Sequence, residues 1–485
     1  MSNKGKQKDN KGITVKKADD FSEWYTQLIQ KADLADYTKV SGCIVYKPAS
    51  YAIWEKIRSI TDQRFKKSGI QNVYFPLFIP ESLLTKEKEH VAGFAPEVAW
   101  VTHGGNTKLG ERLAIRPTSE TIMYDSYAKW IRSHQDLPLR YNQWCNVVRW
   151  EFKYPTPFLR GREFLWNEGH TCFATKAEAE AEGDEIIEIY DDVCKNYLAL
   201  PSLIGKKSKT ETFAGAEYTI SMEFVIPNGK AIQGPDFHHD GQIFSKAFEI
   251  SFMNKEGQKE FVYQNTFAIT TRMIGVMIAI HGDDKGLVLP PRMADKQVVI
   301  VPILFEDSKE KVLKEAQKIK SDLEKLDVSV HLDDREGYSP GWKFNEWEVK
   351  GIPVRVEIGP KDLEKKQVMV ARRDTGEKQA LGLSKVSKEI PSLLDNIQAN
   401  LYDKAEKLLK SSIVKVTNFK DAQKELKEGN ILFAPWCATK ECEENFKEKT
   451  QAKSLNSPLK QPKVSGECFA CKEKASAWFY MGKSY

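Results

Sequence analysis

The pattern of apolar and polar positions between residues 146 and 173 predicts two extended segments joined by a turn. The first reads VVRWEF and the second REFLW, and both are rich in aromatic and apolar residues. The intervening YPTP has the proline chemistry of a turn. Because successive side chains of a strand point to opposite faces, Arg149 and Glu151 are expected on one face of this hairpin.

Elsewhere in the chain, the spacing of apolar residues is typical of helices in some segments and of strands in others. Residues 21–65 have a mainly helical period, whereas residues 69–80 read as an apolar strand whose internal proline places it at a sheet edge. Residues 176–200 predict one amphipathic helix, and residues 213–227 predict two strands. Beyond residue 296, strands and helices alternate, which is typical of a compact α/β domain of about 100 residues.

The bulk composition indicates a soluble protein of several domains. A chain of 485 residues is long enough for two to four domains. Charged residues make up 29% of it, mean hydropathy is −0.50 and no stretch of about 18 apolar residues occurs, so no membrane span is expected. The first seventeen residues carry six lysines and no apolar core, which excludes a secretory signal and predicts a basic disordered tail.

The eight cysteines fall into two groups. Four are scattered and have the character of core residues: Cys43, Cys145, Cys172 and Cys194. The others form the pattern C-x4-C followed by C-x2-C: Cys437, Cys442, Cys468 and Cys471. Disulfides are not expected in a large chain without a secretory signal, and two thiolate pairs suit tetrahedral zinc. Four reduced cysteines without a metal are the alternative.

Charged residues are concentrated in the predicted hairpin. Three arginines and three acids fall within twenty residues: Arg149, Arg160, Arg162, Glu151, Glu163 and Glu168. The guanidinium fork is the side chain best suited to phosphate, and the nearby Phe164 could stack on a base. From these residues alone, a half-buried hairpin with surface ion pairs remains an open alternative.

The spacing of these residues resembles a known motif. Arg149-x-Glu151, a loop and Arg160-x-x-x-Phe164 resemble motif 2 of the class II aminoacyl-tRNA synthetases. The surrounding sequence resembles the prolyl-tRNA synthetases of the eukaryote/archaeal-like type, over nearly the whole chain from Asp20 onward. The resemblance implies an α+β and α/β multidomain fold with an antiparallel-sheet catalytic domain.

Two further stretches resemble the other motifs of this class. Gly69 and Pro76 resemble motif 1, which implies a homodimer interface. Residues 265–275 read as a strand running into an apolar helix, with Arg272 at the junction, and resemble motif 3. The resemblance implies that Thr270 and Arg272 bind ATP, and a helix N-terminus also favours anions.

An amino-acid subsite is implied by a second group of residues. Thr118 and Glu120 resemble the Thr-x-Glu loop that holds the secondary amine of proline in this family. A hydroxyl and a carboxylate can accept both N–H groups of a protonated pyrrolidine. The alternative is that these residues only cap the helix that follows. Phe94, Trp166 and His238 match the residues that surround the proline ring in the family.

Gln233 and His238 match the family sequence Gln-x-x-Thr-x-His, which implies that they line the ATP and proline site. Asp236 stands where the family usually has threonine. The adjacent His238 and His239 also allow a metal site, although neighbours on a strand point to opposite faces.

The family also implies a role for each charged residue. Arg149 would bridge the α-phosphate and the proline carboxylate, and Arg160 and Arg272 would hold the outer phosphates. Phe164 would stack on adenine, and Glu151 would orient adenine or bind Mg²⁺. In-line phosphoryl chemistry needs positioning and charge stabilisation rather than a covalent nucleophile.

These observations combine into one set of expectations for organisation. The expected parts are a basic disordered tail at 1–19, a class II catalytic domain at 20–292, an α/β anticodon-binding domain at 293–403 and a small zinc-binding α+β domain at 404–485. The stretch between residues 173 and 233 is too short for the large inserted editing domain of bacterial-type relatives. The expected ligands and partners are ATP with Mg²⁺, a structural zinc ion, L-proline, tRNA(Pro) and a second copy of the chain, in the cytoplasm and without a membrane.

Three other classes compete with this interpretation. A P-loop NTPase would need G-x-x-x-x-G-K-[ST], which is absent. A threonyl-type synthetase would need a Cys and His zinc set near motif 2. A tRNA-binding or regulatory paralogue without aminoacylation is disfavoured because all the motif arginines are present.

Overall fold

The computed structural model describes residues 12–90, 97–151 and 154–485. Up to residue 173 the elements are α1 (Phe21–Lys31), β1 (Ala35–Tyr37), β2 (Ile44–Tyr46), α2 (Pro48–Lys67), β3 (Gln71–Asn72), β4 (Phe78–Pro80), α3 (Glu81–His90), β5 (Trp100–Gly104), β6 (Thr107–Ile115), α4 (Glu120–Trp130), β7 (Leu139–Val148) and β8 (Glu163–Phe173).

The central part of the chain continues the same α+β pattern. Its elements are α5 (Lys176–Asp192), β9 (Leu203–Lys206), β10 (Tyr218–Val225), β11 (Lys230–Gly241), α6 (Ile243–Ala247), β12 (Ser251–Met253), β13 (Lys259–Phe261), β14 (Tyr263–Ala268) and α7 (Arg272–His281). A capping box in which Thr175 and Glu178 exchange hydrogen bonds begins α5. The stretch between β8 and β11 thus holds α5, a short π-helical turn, β9 and β10, which leaves no room for an inserted domain.

The C-terminal part begins with alternating strands and helices. Its elements are β15 (Val298–Pro302), α8 (Lys309–Glu324), β16 (Val330–Leu332), α9 (Pro340–Val349), β17 (Val354–Ile358), α10 (Pro360–Glu364), β18 (Gln367–Arg372), β19 (Lys378–Gly382), α11 (Val386–Ser411), β20 (Ile413–Lys415), α12 (Phe419–Lys427), β21 (Ile431–Trp436), α13 (Lys440–Thr450), β22 (Lys453–Pro458) and β23 (Ala477–Ser484). The predicted boundary between residues 403 and 404 lies inside α11.

One large sheet organises the first and last parts of the chain. Its strand order is β20-β21-β23-β22-β9-β10-β11-β14-β8-β7-β3, and β23 also pairs with β11. The pairs among β9, β10, β11, β14, β8 and β7 are antiparallel. The C-terminal strands join this sheet through the β22–β9 pair, so the C-terminal unit and the central unit share one hydrogen-bonded ladder.

The helices α2, α5 and α7 cover one face of the sheet. Their buried residues include Ile57, Ile186 and Ile278, which belong to the same core as Phe237 of β11 and Phe267 of β14. Helix α7 is apolar on nearly all sides, as expected for a helix enclosed between a sheet and its neighbours.

A separate five-stranded sheet, β16-β15-β17-β18-β19, forms the predicted α/β unit. Its first three strands are parallel and the last two are antiparallel. Helices α8 and α11 pack on it through residues such as Val312 and Ile397. Smaller sheets are formed by β1 and β2, by β12 and β13, and by β4, β6 and β5.

Two of the strand predictions differ from the structure, and a third is confirmed. The strand predicted at 69–80 is two short strands in different sheets, β3 and β4, because Pro76 between them cannot donate to a ladder. The two strands predicted at 213–227 are the single strand β10, preceded by a turn in which Gly215 has φ of 95°. The pairing of β3 at the end of the large sheet confirms the predicted edge position.

The described part of the predicted tail, residues 12–19, makes defined contacts. The backbone N–H of Lys17 donates to Asp284 over 2.7 Å, and its ammonium donates to the carbonyl of Gly282, also over 2.7 Å. This part is therefore not the disordered segment that its composition suggests. Among all residues that the structure describes, no helix is both long and apolar enough to cross a bilayer.

Candidate active site

A cavity of about 350 Å³ opens on the face of the large sheet formed by β8, β11 and β14. It brings together nine of the residues that the sequence predicted for one site. These are Thr118, Glu120, Arg149, Phe164, Trp166, Gln233, His238, Thr270 and Arg272, and Asp236, to which the sequence assigned no role, lines the same cavity. Among the predicted site residues, Glu151 is exposed and lies outside the cavity lining, and Phe94 lies outside the described residues.

Strand register explains why these residues meet. On β8, Trp166, Glu168 and His170 alternate with residues of the opposite face. Thr266 of β14 is paired with both His170 of β8 and His238 of β11, so the three side chains form a row across the sheet. The cavity floor is therefore set by backbone pairing.

Arg149 lies immediately after β7, which ends at Val148. The prediction that Arg149 and Glu151 share a strand face is wrong, because the pairing ends between them: the Arg149 N–H still donates to Arg162 over 2.7 Å, whereas the Trp150 N–H donates to Glu97. The Arg149 Nε donates to the carbonyl of Pro117 over 2.9 Å. Its guanidinium carbon lies 5.1 Å from the Trp166 ring centroid and 5.6 Å from that of Phe164. Two aromatic rings thus help to position the Arg149 guanidinium at the cavity.

Arg272 is the first residue of α7 and is tied to two backbone carbonyls. Its Nη1 donates to Gln233 over 3.0 Å and its Nε to Leu159 over 3.2 Å. Burial lowers the pKa of Arg272, whereas the negative charge of Asp236 raises it and that of Arg149 lowers it. A second arginine and a helix N-terminus at the same cavity favour an anionic ligand.

The loop before α4 is held by a buried carboxylate that the sequence analysis did not assign to the site. The backbone N–H of Ser119 donates to Glu168 over 2.9 Å, and the Ser119 hydroxyl also donates to it. Gln143 Nε2 donates to Glu168 over 3.0 Å, and His170 Nε2 lies 3.2 Å from it. The sequence signal that would have indicated it is the i, i+2 spacing of Trp166, Glu168 and His170, which places the acid on the same strand face as two predicted or cavity-lining residues.

The start of α4 argues against one of the two interpretations of Thr118 and Glu120, that they only cap the helix. Ser119 occupies the N-cap position of α4 and makes no side-chain capping bond. Thr118 instead donates its hydroxyl to Glu120, and both side chains are buried at the cavity wall. The hydroxyl and the carboxylate are therefore presented to the cavity and do not cap the helix.

Hydrogen bonding controls the charge of Glu168. Burial alone raises the pKa of this carboxyl, but the hydrogen bond and charge of His170 and the bonds from Ser119 and Gln143 lower it to about 2. Glu168 is therefore ionised at neutral pH. Glu120 and His170 lie close enough to Glu168 to share a metal ion, but one ring nitrogen of His170 is hydrogen-bonded to Glu168 and the other to Tyr124 over 3.2 Å, so neither nitrogen is left for a metal.

The residues of β11 form the opposite wall. Gln233 Nε2 donates to Asp236 over 2.7 Å, and His238 Nε2 lies 3.6 Å from the same carboxylate. Burial lowers the pKa of His238, although Asp236 opposes this effect. His239 points to the other face and is hydrogen-bonded to Asn265 over 2.8 Å. The two histidines therefore do not form the joint metal site considered above.

Arg160 lies at the border of this cavity. It lines a neighbouring cavity of about 290 Å³ that shares Phe164 with the first. Its Nη2 donates to the backbone oxygen of Tyr485 over 3.2 Å. The Tyr485 hydroxyl lies 3.3 Å from Thr156 in the loop between β7 and β8. Tyr485 is therefore positioned beside the first cavity.

The four cysteines of the C-terminal pattern converge at one end of α13. Their sulfur atoms all lie within 4.8 Å of one another, and the closest pairs are Cys437–Cys471 at 3.6 Å and Cys442–Cys468 at 3.9 Å. Tetrahedral zinc with bonds of about 2.3 Å would separate its sulfur ligands by about 3.8 Å. The donor set therefore fits a closed tetrahedral ion.

Comparisons with known proteins agree with this architecture. Residues 101–281 match the family model "tRNA synthetase class II core domain (G, H, P, S and T)" and residues 297–393 match "Anticodon binding domain". Residues 419–485 match "Prolyl-tRNA synthetase, C-terminal". The chain is 47% identical to the cytoplasmic proline–tRNA ligase of Arabidopsis thaliana, over 98% of this chain and 91% of that protein. The chain belongs to the prolyl-tRNA synthetase family.

Other members of the prolyl-tRNA synthetase family match equally well. Proline–tRNA ligase 2 of Clostridioides difficile is 49% identical, over 97% of this chain and 98% of that protein. The crystal structure of prolyl-tRNA synthetase from Cryptosporidium parvum, complexed with halofuginone and AMPPNP, superposes with a TM-score of 0.95 at 46% identity. It covers 98% of this chain and all of that one. The expected class II fold is confirmed, and nothing in the comparisons supports a paralogue without aminoacylation.

The buried Glu168 carboxylate should contribute to stability in a pH-dependent way. Its folded pKa of about 2 lies below the ordinary value of 4.5, so its contribution is complete above about pH 5 and is lost as the pH falls toward 2. Glu168→Gln should lower the free energy of unfolding by about 3 kcal/mol at pH 7, and by clearly less at pH 3.5. Urea unfolding across this range measures both values. Glu180→Gln, at an exposed position of α5, is the matched control. A loss that stays constant from pH 7 to pH 3.5 would contradict the charge argument.

Proposed function

We propose that this cavity carries out both steps of the proline–tRNA ligase reaction. The carboxylate oxygen of L-proline attacks the α-phosphorus of ATP, the bond to the β-phosphate oxygen breaks, and prolyl-adenylate and pyrophosphate form. A terminal ribose hydroxyl of tRNA(Pro) then attacks the prolyl carbonyl, and AMP leaves. The observation that carries the proposal is that two arginine forks and the Thr118–Glu120 pair open into one cavity.

The amino-acid subsite is assigned to the wall beside α4. The Thr118 hydroxyl and the Glu120 carboxylate are placed to accept the two N–H groups of the pyrrolidinium. Trp166 and the uncharged ring of His238 offer flat surfaces for the three methylenes, and Phe94 is proposed as a further ring contact. A buried carboxylate prefers a charged amine to a neutral ligand, which gives selectivity for an amino acid.

The nucleotide subsite is assigned to the arginine side of the cavity. Arg149 lies between the two subsites and is placed to bridge the α-phosphate and the proline carboxylate, where negative charge develops in the transition state. Arg272 binds the outer phosphates, and Phe164 stacks on adenine. Arg160 joins them by releasing the backbone oxygen of Tyr485.

The remaining polar residues complete the charge balance around the nucleotide. Gln233 and Thr270 supply hydrogen bonds, and Asp236 supplies negative charge beside Arg272. ATP enters with Mg²⁺, which neutralises phosphate charge and needs only one or two protein carboxylates. Glu151 is exposed and lies outside the cavity lining, and we assign it to adenine or Mg²⁺.

The larger partners are assigned to other parts of the chain. We assign the five-stranded α/β unit, residues 293–403, to the anticodon of tRNA(Pro), in line with the family model that it matches. A second copy of the chain is assigned to the edge of the large sheet near β3, where Tyr74 is 72% exposed and Phe78 is 45% exposed. We place the enzyme in the cytoplasm, as for the relative from Arabidopsis thaliana.

Amino-acid-dependent exchange of pyrophosphate into ATP tests the reaction directly. With each of the twenty amino acids offered separately, exchange is expected with proline and at most weakly with the others. This selectivity for proline is expected because Thr118 and Glu120 bind the amine and the flat walls of the subsite fit the pyrrolidine ring. Exchange with none of them would disprove the first step and would favour the tRNA-binding paralogue.

Glu120→Gln separates the amino-acid subsite from the nucleotide subsite. Loss of a charge-assisted hydrogen bond of about 2–3 kcal/mol should raise the KM for proline about 30- to 100-fold, with the KM for ATP within about threefold. Exchange kinetics with each substrate varied in turn measure both values. The control is Asp125→Asn, in an exposed ion pair with Lys129 on the same helix. Equal increases in both constants would assign Glu120 to folding.

We also propose that Cys437, Cys442, Cys468 and Cys471 hold one structural zinc ion. The Trp436 indole N–H lies 3.2 Å from the Cys442 sulfur, and the Ala470 N–H lies 3.4 Å from the Cys468 sulfur, as expected around thiolate ligands. When bound, the ion would add folding free energy to the C-terminal unit and would take no part in the reaction.

Metal analysis tests the zinc proposal. The purified protein should contain about one zinc ion per chain, and Cys468→Ala should lower this content because only three thiolates remain. Cys43→Ala, outside the quartet, should keep the content of the unchanged protein. Equal zinc in all three proteins would remove the quartet as the binding site.

A further inference from the structure

One wall of the catalytic cavity is formed by the segment between β9 and β10, residues 207–213. Glu211 and Phe213 of this segment line the cavity. The segment has no regular strand or helix of its own, although turn hydrogen bonds join Glu211 and Thr212 to the carbonyl of Ser208 over 3.2 and 2.9 Å. Its position therefore depends on side chains that hold it from outside.

Lys207, at the start of the segment, is paired with the buried Glu223 of β10 over 2.8 Å, and a further set of contacts comes from the C-terminal unit. Glu443 of α13 is only 4% exposed. The Ser208 hydroxyl lies 3.0 and 3.2 Å from its two carboxylate oxygens, and the Thr210 hydroxyl also donates to it. A third donor, Ser454, comes from β22. A buried carboxylate with three hydroxyl donors is a rigid attachment point, because the Ser208 and Ser454 hydroxyls are buried with it and their bonds replace bonds to water.

A second contact reaches the cavity lining itself. Lys453, at the start of β22, donates its ammonium to the Glu211 carboxylate over 2.6 Å. Both side chains are largely shielded, with 28% and 19% exposed. The orientation of an acid at the cavity is thus set by a lysine from a part of the chain 242 positions away.

The segment is also connected to the proposed proline subsite. The Phe213 ring lies 4.7 Å from the His238 ring, and the backbone N–H of Phe213 donates to the Thr219 hydroxyl over 3.1 Å. That hydroxyl is 2.7 Å from Nδ1 of His238. A shift of the segment would therefore move the surface on which the pyrrolidine ring rests.

We propose that Glu443 and Lys453 are positioning residues for the proline subsite. They act from the C-terminal unit by fixing residues 207–213 against His238, and they touch neither substrate. This inference rests on the function proposed above and adds a part of the chain to the determinants of amino-acid affinity. It predicts an effect on proline binding that is separate from metal binding, although Glu443 follows Cys442 directly in the sequence.

The test compares Glu443→Gln with Glu444→Gln, a change at a mostly exposed position of the same helix. Glu443→Gln removes one acceptor from the three hydroxyl donors and should raise the KM for proline about tenfold in pyrophosphate exchange. The KM for ATP should stay within about twofold, and the zinc content should stay unchanged. Hydrogen exchange of residues 207–213 should become faster in Glu443→Gln and not in Glu444→Gln.

Lys453→Met provides a second test that leaves the Glu443 contacts in place. It should raise the KM for proline at least threefold, and Lys453→Arg should restore most of the loss because an arginine can still pair with Glu211.

If both Glu443→Gln and Lys453→Met behave like the unchanged protein, the inference is wrong. A loss of zinc, or equal increases in both KM values, would also overturn it by showing a general structural role. If the unchanged protein shows no proline-dependent exchange, the proposed function fails and this inference fails with it.

Discussion

Backbone pairing among β8, β14 and β11 is the constraint on which the candidate site depends. Since side chains alternate along each strand, the register decides which residues of three distant segments share a face. A slip of one residue on β11 would replace His238 with His239 and turn Asp236 away from the cavity. The helices behind the sheet hold this register through a closely packed core that includes Phe237 and Phe267.

On this floor the site holds charges of both signs at fixed positions. Arg149 and Arg272 are each fixed by hydrogen bonds to backbone carbonyls. Glu120 belongs to a loop fixed by the buried carboxylate of Glu168. Neither set depends on a flexible surface ion pair, so the electrostatic field of the cavity is organised before any ligand arrives.

The site residues that the sequence could predict are those whose signal lies within a short stretch of the chain, and the ones it could not predict depend on contacts between distant segments. Thr118, Glu120, Arg149 and Arg272 were predictable because each belongs to a short motif with its own local signal. The role of Glu168 was not, because it becomes clear only when β7 and β8 bring Gln143 and His170 to the same carboxylate.

Dependence on distant contacts also explains why the sequence did not predict that the C-terminal unit joins the large sheet. The helices and strands of the C-terminal part follow from local periodicity, so the α/β unit was predicted well. The joining of β22 to β9 was not predictable, because it pairs residues about 250 positions apart and neither strand has a local signal that selects its partner. For the same reason, the contacts of Glu443 and Lys453 with the cavity wall could not be foreseen.

The β22–β9 pair has a consequence for the order in which the protein can be completed during translation. Strand β9 is bonded to β10 on one side, and its other side is covered by Ser457 and Pro458. Until the ribosome has released those residues, the nascent central sheet presents unpaired backbone groups at β9, the kind of surface that recruits other chains. Synthesis of β22 and β23 therefore completes a sheet whose strands β9 and β10 were made more than two hundred residues earlier.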